Sequence, residues 1–116
     1  MIRKPLSPIE TEELNRRLGA MHARYRANAP ARVQEIEALW QQAMCASPGD
    51  PVRADLVRAV HTLVGTAPTL GCEALGAAAR RLESELRVSL GSSAPLTDEE
   101  RATIGLLLRG LSESLA

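Results

Sequence analysis

Apolar residues in this chain recur three and four positions apart, and no stretch alternates apolar with polar residues long enough to build a strand. That spacing lines up side chains on one face of a helix, so the fold must be made of helices that each bury one stripe. The palette agrees with this. Of the 116 residues 45% are hydrophobic, yet Trp40 and Tyr25 are the only aromatics, which leaves Leu, Val, Ile, Met and Ala to fill a core. A chain of this length suits one domain. The expected fold is all-α: an antiparallel up-and-down four-helix bundle with an additional short N-terminal helix packed across one end. Residues 7–116 would form the single domain, after a flexible N-terminus over residues 1–6.

Punctuation residues divide the stripes. Ser7-Pro8-Ile9-Glu10 reads as a capping box with proline at the first helical position. The helix it opens carries Leu14, Leu18, Met21 and Tyr25 and should end at Asn28-Ala29-Pro30, because the residue before proline resists the α conformation. A second helix is expected from Pro30 to about Ala46, with Val33, Ile36, Leu39, Trp40, Ala43 and Met44 on one face. Ser47-Pro48-Gly49-Asp50-Pro51 is a loop whose Asp50 caps the third helix. That helix buries Val52, Leu56, Ala59, Val60, Leu63 and Ala67, and Pro68 should stop it before a turn at Gly71. The fourth begins near Cys72 with Leu75, Ala78, Ala79, Leu82, Leu86 and Leu90 inward. After the Gly91–Pro95 connection, Thr97-Asp98-Glu99-Glu100 is a second capping box. The fifth helix buries Ile104, Leu107, Leu108, Leu111 and Leu115.

Several function classes are disfavoured at once. Lys plus Arg and Asp plus Glu number 14 each, so the net charge is zero and no global field draws nucleic acid or anionic lipid. Arg16, Arg17, Arg24, Arg26 and Arg32 make a local basic stretch, read as a solvated helix face because aromatics for base stacking are scarce. No apolar run approaches the ~20 residues of a membrane span, and the N-terminus has no secretory signal, so a cytoplasmic protein is expected. Cys45 and Cys72 fit no metal-binding spacing and are read as reduced thiols. His22 flanks the first stripe as a boundary residue with no metal-binding partners nearby in sequence. Met21 and Met44 are read as core.

One residue stands apart. His61 lies ~140° from the centre of the buried arc of its helix, on the exposed side. Gly65 follows it by one turn, although glycine within a helix costs ~1 kcal/mol relative to alanine. A side chain at 65 would lean back over His61, so glycine clears an approach to the imidazole.

The run His61-Thr62-Leu63-Val64-Gly65-Thr66-Ala67-Pro68-Thr69-Leu70-Gly71, with Leu75 and Ala79-Arg80-Arg81-Leu82-Glu83 after it, resembles the histidine-containing phosphotransfer (HPt) domain family. Tyr25 to Pro30 is similar to the aromatic-to-proline segment that precedes the family's second helix. The resemblance implies that His61 is a phosphoryl acceptor and donor. It also implies that Glu83, in the family's Leu-Glu position, hydrogen-bonds the histidine and sets its tautomer. The family usually has lysine three residues after the histidine, where this chain has Val64. Arg58 is a substitute cation to consider, and Val57, Val64 and Pro68 form an apolar strip suited to partner docking.

The implied function is that of a histidine phosphotransfer protein in a multistep phosphorelay. It would be a monomeric phosphocarrier rather than an enzyme, shuttling a phosphoryl group between receiver-domain aspartates. Partners would be response-regulator receivers and a hybrid sensor histidine kinase, with neither nucleic acid nor membrane involved. The chain would bind no cofactor or metal of its own, Mg²⁺ being supplied by the receiver. Neither a Walker pattern nor a glycine-rich phosphate loop is visible. Met1 and the capped first helix favour a free-standing protein over the end of a hybrid kinase. Two rivals remain: an HPt-like adaptor that binds receivers without transferring phosphate, and a purely structural helical bundle.

Overall fold

A computed structural model describes residues 4–115. The expected flexible terminus therefore falls partly outside the described residues; Lys4 to Leu6 are exposed and outside any helix. Among the described residues the fold is all-helical: α1 (Pro8–Cys45), α2 (Val52–Thr66), α3 (Glu73–Leu90) and α4 (Asp98–Glu113). Each helix packs on its neighbour in sequence, and α4 closes back on α1. The shared core contains Ile36, Leu56, Leu63, Leu75, Leu82, Leu86, Ile104 and Leu111, all essentially inaccessible.

Both capping boxes form. Ser7 Oγ accepts from the Glu10 N–H at 3.2 Å, and Glu10 Oε2 accepts from the Ser7 N–H at 3.3 Å. Thr97 and Glu100 make the same pair at 3.0 Å each, with Asp98 and Glu99 adding acid where the helix dipole favours it. Asp50 Oδ1 accepts from the Val52 N–H at 2.9 Å and so starts α2. At its other end Pro68 and Gly71, the latter at φ 87°, turn the chain into α3.

The five-helix expectation is corrected in one place. Residues 8–45 form a single helix of 38 residues with Pro30 inside it. Tyr25, Ala29, Val33, Ile36, Trp40 and Ala43 are buried at steps of three and four that continue across the proline. Pro30 itself is exposed, so the Arg26 carbonyl that it leaves without a donor lies on the solvent side. Burial of a continuous stripe outweighs the local preference to break. At 1.5 Å per residue α1 is about 57 Å long, against about 22–27 Å for the other helices, so its N-terminal part extends past the bundle. Among the described residues no separate helix packs across the end. Leu14, Leu18 and Met21 are accordingly 41–47% exposed rather than core, whereas Met44 is half-buried against the core as expected.

Candidate functional site

The site sits where α2 and α3 run side by side. Leu56, Val60 and Leu63 hold α2 against the core, which turns His61 outward with 64% of its side chain exposed. Tyr25 fixes this helix from the other side. Thr66 Oγ1 donates to the Thr62 carbonyl at 2.8 Å, so its oxygen accepts from the buried Tyr25 hydroxyl, also at 2.8 Å. That bond ties α1 to the C-terminal end of α2.

On α3, Leu82 and Leu86 are buried and carry Glu83 to the seam, where its side chain is 12% exposed. Glu83 Oε2 lies 2.6 Å from His61 Nδ1 and 2.9 Å from Arg87 Nη2, so one oxygen accepts from both. Burial by itself pushes the Glu83 carboxyl up. Hydrogen bonds from Arg87 and His61, with their charges, outweigh that and hold it below the ordinary carboxylate range. Glu83 is therefore ionised and can only accept. Of the two neutral tautomers, this bond selects the one with its hydrogen on Nδ1 and its lone pair on Nε2. The arrangement presents a nucleophilic nitrogen to solvent.

Gly65 is exposed, and a Cβ built there meets nothing within 4 Å. No neighbour inside the molecule demands glycine at this position. Arg58, 74% exposed, pairs with Asp55 at 3.2 Å on its own helix. Val57 and Val64 are half-buried against the core, while Pro68 is exposed. Val57 lines a groove with His61, whereas Pro68 borders a shallow cleft with Gly76, Ala77, Arg80 and Arg81.

The groove beside His61 encloses about 650 Å³ between the α2 start and the α3 end, and Arg53, Arg58 and Arg87 line it. Sequence reasoning missed two of these. Arg87 was detectable, since Glu83 and Arg87 stand at the i,i+4 spacing that favours a pair with the acid first. Arg53 lies about 70° from the centre of the buried arc of α2, a boundary angle that could have flagged it. Cys45 and Cys72 are free, His22 is half-buried against the Gly71 turn, and no described cluster of His, Cys, Asp and Glu could hold a metal ion. Arg16 and Arg17 pair with Glu13, and Arg32 lies over the Tyr25 ring. No described helix is long and apolar enough to cross a membrane.

The family model described as "Hpt domain" matches residues 20–114. The match starts within α1 and leaves most of its N-terminal overhang outside. No curated protein and no solved structure gives a significant match.

Proposed function

The chain belongs to the Hpt domain family and is a histidine phosphotransfer protein of phosphorelay signalling, and on that premise we propose that His61 carries the phosphoryl group. The observation that carries this reading is the pairing of an exposed imidazole with a half-buried carboxylate at Nδ1, which leaves Nε2 free. Nε2 would attack the phosphorus of a receiver's aspartyl phosphate. The N–P bond forms as the acyl O–P bond breaks, and the aspartate leaves as carboxylate. Transfer onward reverses these events on a second receiver. Glu83 favours the forward step in two ways: it fixes the tautomer, and its negative charge stabilises the ring as positive charge develops on it.

Partners in this reading are response-regulator receivers and a hybrid sensor histidine kinase, in the cytoplasm. The receiver would bring Mg²⁺ and a lysine, which neutralise charge on the phosphoryl group during transfer. The short connections between α2, α3 and α4 support antiparallel neighbours in up-and-down order, a rigid frame for a nucleophile that must be reached by a large partner. Gly65 contributes clearance, and Val57, Val64 and Pro68 contribute apolar contacts around the approach. Arg58 and Arg87 flank the imidazole where the family's lysine is replaced by Val64.

The test is incubation with labelled phospho-receiver and Mg²⁺, comparing the wild type with His61→Gln. Acid-labile label on the wild type alone is expected. Label retained by His61→Gln would overturn the site. Receiver binding without any label would favour the adaptor reading, which rests on the uncharged Val64.

A further inference from the structure

Seven large hydrophobic side chains are exposed among the described residues, and five of them, from Leu6 to Met21, lie on or just before the overhang of α1. Three of the five form a stripe. Leu14, Leu18 and Met21, at steps of four and three, continue the row that Tyr25, Ala29 and Val33 bury inside the bundle. The overhang thus presents the same face that the bundle covers farther along, at a level the bundle does not reach. Tyr25, bonded to Thr66, and His22, against the Gly71 turn, mark where the covering ends. Single exposed apolar residues are ordinary, but a stripe in phase with a core row is half of a helix–helix contact.

The charges beside the stripe are segregated along it. Glu10, Glu12 and Glu13 stand at its start, and four arginines from Arg16 to Arg26 follow with no acid among them. Arg16 and Arg17 are engaged by Glu13 on their own helix. Arg24 is exposed and has no ion-pair partner among the described residues. Glu10 accepts from the Ser7 N–H through Oε2, which leaves Oε1 for another donor. Seven-residue steps put Glu10, Arg17 and Arg24 on one flank of the stripe, acid at one end and base at the other.

We propose that the overhang pairs antiparallel with the overhang of a second copy of this chain, as a short two-helix coiled coil that makes the protein a weak homodimer. The monomer expected from the sequence would be its dissociated state. Space sets the direction. In a parallel pair each α1 would run on into the volume that the other copy's α2 fills, whereas antiparallel pairing sends the two bundles to opposite ends. Two overhangs of equal length also cover each other's stripes completely. With the two-fold axis beside Arg16 and Arg17, Leu14 of one copy packs on Leu18 of the other, and Glu10 faces Arg24; each contact occurs twice. The arginines at the axis are already neutralised by Glu13. A contact of about 14 residues per helix covers roughly 800 Å² in total, an area typical of weak, exchanging interfaces. The groove beside His61 opens at the α2 start and the α3 end, away from the overhang, so both copies keep it free. The dimer does not depend on what His61 carries.

The experiment is sedimentation equilibrium of the full chain from about 10 µM to about 1 mM, with circular dichroism to verify that each variant is folded. A monomer–dimer equilibrium with a dissociation constant on the order of 100 µM is expected. Leu18→Glu, at a position 41% exposed, should fold and weaken association about tenfold or more. Arg24→Glu sets acid against Glu10 of the other copy and should weaken it about threefold. Adding Glu10→Arg to Arg24→Glu should recover that loss, because in the antiparallel pair the two charges merely exchange places. A monomer throughout the range would overturn the dimer and leave the stripe to a different partner. An unchanged constant in Leu18→Glu, or a double variant weaker still than Arg24→Glu, would overturn it as well.

Discussion

The ring of Pro68 fills the space that a side chain at Gly76 would need. A Cβ at position 76 would come within 2.5 Å of Pro68 Cγ and 2.7 Å of Cδ. Pro68 closes α2 and Gly76 lies in the first turns of α3, so this contact sets how closely the two helices approach below His61 and Glu83. The glycine that the family pattern made conspicuous, Gly65, has open space around it. The inconspicuous one is held by packing.

Gly76→Ala should therefore destabilise the protein by about 1–3 kcal/mol, since a proline ring cannot swing aside and overpacking outweighs the helix propensity gained. Gly65→Ala should behave oppositely, gaining about 0.5 kcal/mol while slowing phosphoryl transfer. Urea unfolding of both variants, with transfer rates for the second, checks the pair. Equal stability effects would show that the Pro68 contact is not tight.

Glu83 predicts a pH dependence. Its carboxyl is held below the ordinary glutamate value of about 4.3, so the folded state binds its proton more weakly than the unfolded chain. The resulting stability is fully present above about 4.3 and is lost as pH falls through the folded-state value. The stability gap between wild type and Glu83→Gln should be widest near neutrality and should shrink below about pH 4. A gap that grows on acidification would contradict the ionised pairing with His61 and Arg87.

Pro30 lies inside a continuous helix, where its ring and missing donor cost up to about 3 kcal/mol. Pro30→Ala should restore the bond to the Arg26 carbonyl and raise stability by about 1–3 kcal/mol without loss of helix signal in circular dichroism. A fall in stability would mean that the proline is needed for a break in α1.

The exposed stripe on the α1 overhang and the buried stripe of α2 differ in energetic weight. Leu63→Ala should cost about 2–5 kcal/mol in thermal or urea unfolding. Leu14→Ala, at a position 45% exposed, should change stability by no more than about 0.5 kcal/mol. A large loss at Leu14 would place that residue in the folding core.

Local chemistry made much of this molecule legible. The two capping boxes, the Asp50 start, the stop at Pro68 and Gly71, and most inward residues of α2, α3 and α4 follow from spacing and turn chemistry, and all are found. The exposed His61 was legible in the same way, because a helix converts sequence position into direction. What spacing cannot supply is the neighbour across a helix seam. Whether Pro30 breaks α1 was decided by the stripe from Tyr25 to Ala43 that the bundle buries on both sides of it. Whether Leu14 and Leu18 are core was decided by where the other three helices end.

The histidine helix shows the division most clearly. The sequence by itself determined that His61 faces outward with a glycine one turn on, since both are matters of angle along one helix. Only the tertiary structure decided that Glu83 meets its Nδ1, that Gly76 makes room for Pro68, and that Arg53 lies buried beside the same groove. These depend on the offset and distance between α2 and α3, which packing of the whole core sets and no local pattern encodes.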